Sequence, residues 1–271
     1  MVDIKIEKGA DMDFRGDGQP ITDNGMDTVC ETLGVSEPEV WAVISVETRS
    51  FGFFQDKRPQ ILFERHVFSR LTSRQYDILN PNISSKRPGG YVGGVYEYTR
   101  LEKAMEFNRE TALQSASWGV GQVMGFNHKA VGFDSVEEMV WDMVESEDRQ
   151  LLTVARFIQA NGLTGVLRRH NWASFARGYI GKEFKKNEYD ARLAAAYAKY
   201  KTILPDLALR TAQAGLVYLG FEPGPIDGLR GRRTRSALIL FQERYDLPIT
   251  GELDTETEER LLSEAFPSRD P

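Results

Sequence analysis

The sequence predicts a mainly α-helical protein with a small β element, followed by a separate three-helix module. Apolar residues recur at helical spacing along most of the 271 residues. The exception is the segment Arg58 to Phe63, which favours a short strand. The helical pattern breaks at Pro205, and apolar stripes then alternate with turns rich in glycine and proline. These observations predict two domains, at residues 1–203 and 206–271.

The N-terminal part is predicted to consist of helices connected by loops. The first clear helix runs from Glu37 to Glu47, with Ser36 as its N-cap. Residues 83–94 form a loop because proline and glycine cluster there. Further helices are predicted at Tyr98 to Phe107, Thr111 to Met124, Val136 to Asn161, Gly162 to Arg169 and Glu183 to Ala198.

The C-terminal part reads as helix, loop, helix, turn and helix. Apolar stripes predict helices at Leu209 to Leu219, Thr234 to Tyr245 and Thr255 to Glu264, and the first connection is rich in glycine and proline. The sequence shows no evident internal repeat. This pattern predicts a small three-helix module.

Composition excludes several classes of protein. With 41% hydrophobic and 27% charged residues, the chain is a folded globular protein, and its net charge of −6 argues against a nucleic-acid partner. The single cysteine, Cys30, excludes an intrachain disulfide, and its helical spacing suggests a buried position. The chain start lacks the apolar stretch of a signal peptide, and no segment resembles a membrane span. We therefore expect a protein made in the cytosol without stable membrane association.

Carboxylates are the best candidates for catalysis. The histidines at positions 66, 128 and 170 lie far apart without an HExxH pair, and no GxSxG motif occurs, so we expect no metal and no cofactor. Glu47 ends a predicted helix beside Phe51, Phe53 and Phe54, which could desolvate its carboxyl and make it a general acid. Glu64 could serve as a base or stabilise a cationic transition state.

The same two carboxylates also have an ordinary structural interpretation. Glu47 could be a solvated acid at a helix end, and Glu64 could be an ion-pair partner of Arg58 or Arg65. Spacing alone leaves both interpretations open.

Three segments resemble the N-acetylmuramidase family, which is common among phage endolysins: residues 45–53, 56–72 and 115–128. The resemblance spans Glu37 to Tyr200. It implies a lysozyme-like helical fold that cleaves the β-1,4 bond between N-acetylmuramic acid and N-acetylglucosamine. Glu47 matches the family's general acid, and Glu64 matches its second acidic position.

Four further residues are candidates for substrate binding. The run Ser115 to Gly125 resembles the stretch that lines the sugar cleft in lysozyme and lytic-transglycosylase folds, and it contains Ser117 and Gln122. The amide of Gln122 suits an acetamido group, although the run could also be a helix that uses small residues for close packing.

The other two candidates are tyrosines. Tyr179 lies where the family usually has Tyr-Asn-Gly, but Ile180 replaces the asparagine here. Tyr91 lies in the loop Pro88 to Gly94, which could close over substrate or be a disordered surface loop.

The segment Leu207 to Leu262 resembles the peptidoglycan-binding three-helix domain. The resemblance implies a wall-binding role, for which the candidate residues are Asp227, Arg230, Arg233 and Gln242. The arginines could meet carboxylates of the peptide stems, or they could form a solvated charge run.

These expectations combine into a phage endolysin with bacterial peptidoglycan as its partner. We expect a monomer that is stored in the host bacterial cytoplasm and acts on the cell wall after release. Two alternatives remain at this point. One is a lytic transglycosylase that gives 1,6-anhydro products, and the other is a non-catalytic peptidoglycan-binding virion protein, which the Ile180 departure favours.

Overall fold

Helices dominate the computed structural model, which describes residues 13–48 and 51–267. The prediction of a mainly α fold with a small β element is confirmed. The N-terminal elements are α1 (Asp23–Leu33), α2 (Glu37–Thr48), β1 (Ile61–Phe63), α3 (Arg65–Leu71), α4 (Glu97–Met105), α5 (Arg109–Gln114), β2 (Ala116–Trp118), β3 (Val123–Met124), α6 (Val136–Glu145), α7 (Glu147–Ala160), α8 (Thr164–Arg168), α9 (Trp172–Tyr179) and α10 (Tyr189–Tyr200). The C-terminal module contains α11 (Leu207–Tyr218), α12 (Arg232–Arg244) and α13 (Thr255–Ala265). Short 3₁₀ turns lie at Gly94–Tyr96, Gly125–Asn127 and Lys182–Asn187.

Helix α2 lies in the middle of the N-terminal core and packs along α10. Trp41 and Ile44 on this helix have no exposed surface. At its start, the Ser36 N–H donates to the Glu39 carboxylate at 3.2 Å, which is the backward half of a capping box. The helix continues to Thr48, one residue beyond the predicted end, so Glu47 lies in its last turn.

The small sheet corrects one predicted helix. Helix α5 ends at Gln114, and the segment predicted as its continuation forms the antiparallel hairpin β2–β3, with β1 paired on the other edge of β2. The turn of the hairpin contains two residues in the left-handed region, Gly119 at φ 68° and Gln122 at φ 50°. A helix cannot continue through such residues, so the prediction of a helix from Thr111 to Met124 is wrong.

Two other segments that were predicted as single helices are interrupted in the structure. The segment Val136 to Asn161 is two helices, because Ser146 is extended at φ −160° and its side chain caps α7. The segment Glu183 to Ala198 starts as a 3₁₀ turn, and Glu188 at φ 50° separates that turn from α10.

The C-terminal module docks against the N-terminal core through a buried ion pair. Arg210 of α11 and Glu147 at the start of α7 are both completely buried, and their charged atoms lie 2.6 and 2.9 Å apart. Phe51 and Phe53 pack against Ala214 and Ile226 of the module. The two parts therefore share a packed interface in addition to their chain connection.

Two polar contacts reinforce this interface at its edge. The Tyr218 hydroxyl donates to the Gly18 carbonyl at 2.7 Å, and Lys57 Nζ donates to the Ala265 carbonyl at 2.8 Å. The module is therefore held from both α11 and the end of α13.

Inside the module, a buried glutamine organises the loop between α11 and α12. Gln213 Oε1 accepts from the Asp227 and Gly228 N–H groups at 2.9 and 2.8 Å. Its Nε2 donates to the Leu229 carbonyl and to Thr234 Oγ1, both at 3.2 Å. A single side chain thus fixes the entire turn.

A second glutamine repeats this arrangement between α12 and α13. Gln242 Oε1 accepts from the Thr250 and Gly251 N–H groups at 3.0 and 2.8 Å. Its Nε2 donates to the Glu252 carbonyl and to Thr257 Oγ1, both at 3.0 Å. The module therefore has an internal structural repeat that the sequence analysis missed. The sequence spacing of the two copies differs, because the glutamine precedes the turn glycine by 15 residues in the first copy and by 9 in the second. The repeat is therefore not evident in the sequence.

No helix among the described residues is long and apolar enough to cross a lipid bilayer.

Candidate active site

Glu47 lies partly buried in the last turn of α2, near side chains of α9 and α10. Burial raises the pKa of its carboxyl to about 7, against the opposing charge of Arg192. Burial and then the nearby Glu47 charge raise the pKa values of Tyr179 and Tyr189. Glu47, Tyr179, Tyr189 and Arg192 are called the Glu47 cluster below. The Glu47 carboxyl can therefore hold a proton near neutral pH, as a general acid must.

The desolvation of Glu47 by Phe51, Phe53 and Phe54 stays a prediction. Phe51 and Phe53 face the C-terminal module, and Phe54 packs edge-on against Tyr98 at 6.4 Å. The two side chains whose pKa values the Glu47 charge raises, Tyr179 and Tyr189, come from α9 and α10.

Arg192 is fixed beside Glu47 by the end of α2. One of its Nη atoms donates to the Val46 carbonyl at 2.9 Å, and its guanidinium lies 5.0 Å from the Tyr189 ring centre. A cation at a helix C-terminus interacts favourably with the helix dipole. Arg192 therefore has a fixed position next to the candidate acid.

The hairpin turn reaches the Glu47 cluster through Tyr179. The Tyr179 hydroxyl donates to the Gly121 carbonyl at 2.9 Å, and its ring packs between Phe157 and Phe175. A Cβ at Gly121 would overlap Val154 and crowd the Tyr179 hydroxyl, so the turn needs glycine there. The structure thus brings Tyr179 and the predicted cleft-lining run together with Glu47.

Ser117 and Gln122 hold each other across this hairpin. Ser117 Oγ donates to Gln122 Oε1 at 2.8 Å, and Gln122 Nε2 donates to the carbonyls of Gln60 and Gly119 at 3.2 and 3.0 Å. Both amide hydrogens of Gln122 are therefore engaged by the protein, and an Oε1 lone pair is left to accept from a ligand. Their contact with substrate stays a prediction.

Glu64 lies at the far end of the sheet in a second polar group. It follows β1, and its N–H donates to the Ser115 carbonyl at 2.9 Å. The Tyr91 hydroxyl donates to its two carboxylate oxygens at 2.9 and 3.0 Å, and His66 Nδ1 lies 3.0 Å from Oε2. Glu64, His66 and Tyr91 are called the Glu64 cluster below. Tyr91, whose loop could close over substrate, is therefore hydrogen-bonded to the second acidic position.

The structure pairs Arg58 and Arg65 with other groups. The Arg58 side chain donates to Asp56 at 2.8 Å. Arg65 donates to the carbonyls of Pro81, Arg87 and Pro88 at 2.9 to 3.1 Å. The interpretation of Glu64 as an ion-pair partner of Arg58 or Arg65 is therefore wrong.

The Tyr91 loop is anchored by a buried carboxylate. Glu97 has no exposed surface, and its Oε1 accepts from the Val92 and Gly93 N–H groups at 2.7 and 3.0 Å. Its Oε2 accepts from the Phe63 N–H at 3.2 Å and from Arg100 at 2.7 Å. Glu97 therefore ties the segment after Tyr91 to the strand before Glu64.

Tyr91 acts as a hydrogen-bond donor in this arrangement. Burial and the adjacent Glu64 charge raise the pKa of its hydroxyl to about 12, so the phenol keeps its proton at neutral pH.

Ile180 forms the C-terminal cap of α9 and packs partly buried against the core. It is an apolar packing residue where the family usually carries an amide.

The four predicted wall-binding residues have different environments. Asp227 is committed to its own turn, since its Oδ1 accepts from the Leu229 N–H at 3.0 Å, and Gln242 is completely buried. Arg233 is exposed and lies 3.7 Å from Glu222. Arg230 lines a surface cleft of about 300 Å³. The structure therefore places only Arg230 of the four in this cleft.

Other arginines of the same run complete the cleft. Arg232 and Arg235 line it beside Arg230, with Glu252 and Leu253 on the facing loop. Arg230 pairs with Glu252 at 2.8 Å, and both are exposed. The run predicted as a charge cluster thus gives the cleft a basic wall.

Within residues 13–48 and 51–267, no group of three or more histidine, cysteine or acidic side chains is arranged to hold a metal ion. Burial and neighbouring acids raise the pKa of the Cys30 thiol to about 11, so it is a protonated, partly buried side chain.

Comparison with known proteins identifies the family. Residues 36–201 match the family described as N-acetylmuramidase. The chain belongs to the N-acetylmuramidase family. Residues 206–261 match a second family, "Putative peptidoglycan binding domain".

A solved structure is similar to this chain over about two thirds of its length. The crystal structure of the Burkholderia AP3 phage endolysin is 36% identical, with a TM-score of 0.63, and the match covers 68% of this chain and 72% of that one. No curated protein matches the chain. These findings confirm the predicted family and support a peptidoglycan-degrading enzyme.

Proposed function

We propose that this muramidase is an endolysin that hydrolyses the β-1,4 bond between N-acetylmuramic acid and N-acetylglucosamine, with Glu47 as the general acid. The observation that carries the proposal is the partly buried Glu47 carboxyl at the end of α2, whose pKa is raised to about 7. Residues 1–203 form the catalytic domain in this proposal, and residues 206–271 form the wall-binding domain.

The two clusters divide the chemistry between them. Glu47 donates its proton to the glycosidic oxygen as the bond to the anomeric carbon breaks, and a cationic sugar transition state develops. Glu64, held by Tyr91, supplies the negative charge that stabilises this cation or orients the attacking water. Water adds to the anomeric carbon, and a proton returns to Glu47.

The C-terminal module keeps the enzyme at its polymeric substrate. Binding to peptidoglycan raises the local concentration of the catalytic cleft near the bonds to be cleaved. Arg230, Arg232 and Arg235 provide a basic surface for the carboxylates of the wall.

Replacement of Glu47 by Gln tests the assignment. The amide keeps the shape of the side chain but has no acidic proton to donate, so the rate of turbidity clearance of purified cell walls should fall by about a hundredfold or more. The wild-type rate should also fall as pH rises through about 7, since Glu47 then loses the proton it must donate.

Glu31→Gln on the exposed side of α1 is the matched control and should keep the wild-type rate. Near-normal clearance by the Glu47→Gln variant contradicts the proposal. Mass spectrometry of the released fragments separates hydrolysis from transglycosylation, because 1,6-anhydro products are lighter by one water. Sedimentation with the wall without fragment release indicates a non-catalytic binding protein.

A further inference from the structure

A groove runs from Arg192, which belongs to the Glu47 cluster, to the C-terminal module along the exposed side of α10. Its volume is about 390 Å³, which lies in the range of ligand sites in proteins. Its lining comes from three elements: Ser45 and Val46 of α2; Arg192, Ala195, Ala196, Lys199 and Tyr200 of α10; Pro225 and Asp227 of the first module loop. The groove therefore exists only because the module docks on the catalytic part.

The floor of the groove is a stripe of α10 with a cation at each end. Arg192, Ala195, Ala196 and Lys199 lie on one helix face, since their spacing is i, i+3, i+4 and i+7. The two alanines leave room above the helix between the cations. Seven residues of helix separate the cations by about 10 Å along the axis.

The lining of this groove carries two cations and one carboxylate, so a net positive charge remains. Asp227 Oδ1 accepts from the Leu229 N–H at 3.0 Å and lies 3.4 Å from Gln213 Nε2, so the carboxylate is engaged inside its own loop. Arg192 is held at the Val46 carbonyl beside Glu47, and the Lys199 ammonium lies 4.9 Å from the Tyr200 ring centre. The groove therefore complements an elongated ligand with negative charges.

We propose that this groove binds the peptide stem of peptidoglycan through its carboxylates, an inference that rests on the proposed function. Each muramic acid can carry a short peptide on its lactyl group, so a muramic acid placed at Glu47 projects a chain of small residues and carboxylates close to Arg192. The alanine floor accepts small apolar side chains, and Lys199 binds a carboxylate further along the stem. The groove thus makes cleavage faster on glycan that still carries its peptides.

Two groove variants and two substrates test this inference. Lys199→Glu reverses the charge at the far end, and Ala195→Trp fills the floor; both positions are exposed, so the core is left intact. Initial rates of reducing-end release are measured on intact peptidoglycan and on glycan strands whose peptides have been removed. Each variant should lower kcat/KM on intact peptidoglycan by about tenfold, the effect of one charge-assisted contact. The rates on peptide-free strands should stay at the wild-type value.

Lys201→Glu is the matched control, because it makes the same charge change on an exposed lysine just beyond α10 and outside the groove lining. It should leave both rates unchanged. Equal losses on the two substrates, or no loss on either, overturn the inference while the wild-type activity stands. Absence of reducing ends from both substrates with the wild type instead overturns the proposed function, and the inference with it.

Discussion

Glu97 and Glu147 are both completely buried, yet one holds a loop and the other holds a whole module. Glu97 pairs with Arg100 in the next turn of the same helix at 2.7 Å. Glu147 pairs with Arg210, which lies 63 residues further along the chain in α11, at 2.6 Å. The comparison shows that one chemical arrangement serves local order in the first case and domain docking in the second.

Each pair also fixes a segment beside one candidate catalytic carboxylate. Glu97 accepts from N–H groups on both sides of the Glu64 cluster. Glu147 accepts from the Gly52 N–H at 2.7 Å, and Gly52 follows Glu47 closely in sequence. The C-terminal module thus helps, through Arg210, to hold the segment that follows α2.

Arg210→Ala should have the largest effect on this comparison. It leaves Glu147 buried without its arginine, and breaking a buried pair in this way costs about 3 to 5 kcal/mol of unfolding free energy. Urea denaturation measures the loss. Arg230→Ala, which removes an exposed pair with Glu252, is the control and should cost less than about 1 kcal/mol. A cost as small as the control's would show that docking does not depend on the buried pair.

Glu97→Gln should have an intermediate effect. The amide nitrogen of the new side chain would face a donor, either Arg100 or the loop N–H groups, and losing a charged hydrogen bond costs about 2 kcal/mol. Clearance activity should fall by at least about tenfold, since the Tyr91 loop over Glu64 loses its anchor. Glu102→Gln on the same helix is exposed and should change neither stability nor activity. Unchanged activity in the Glu97→Gln protein would show that catalysis does not depend on the position of the Tyr91 loop.

The double replacement Glu147→Gln with Arg210→Met should have the smallest effect. Both charges leave together, and the glutamine oxygen still accepts a backbone N–H, so the unfolding free energy should fall by only about 1 to 2 kcal/mol. Urea denaturation alongside Arg210→Ala gives the comparison. A double variant as unstable as the single one would mean that the arginine matters for its contacts with the Trp41 and Phe51 rings rather than for its charge.

The parts of the fold that depend on local pattern could be predicted from the sequence. The apolar stripes of α2, α11 and α13 are local, and the structure has helices there. The hairpin at 116–124 could not be predicted in this way, because its left-handed turn is stabilised by distant residues. Gln150 Oε1 accepts from the Val120 N–H at 2.7 Å, and Val154 packs at Gly121.

In the candidate site too, the features that depend on local sequence could be predicted and those that depend on distant residues could not. Glu47 could be found from its place at a helix end, but its enclosing tyrosines lie more than 130 residues away in the sequence. The Glu97–Arg100 pair had a readable signal, since the two lie three residues apart on one helix. Arg210 had a weaker sequence signal, because it is an arginine among the apolar positions of α11. Nothing in the sequence indicates Glu147 as its partner.

The repeated glutamine arrangement gives the C-terminal module two faces. The loop held by Gln213 carries Ile226, Asp227 and Pro225 towards the catalytic part, where they contribute to the interface and the groove. The loop held by Gln242 carries Gly251 and Glu252 into the arginine-lined cleft on the outer surface. One copy of the same turn thus helps to form the interface with the N-terminal part, and the other lines the outer cleft, so the outer loop can change in sequence without disturbing the interface.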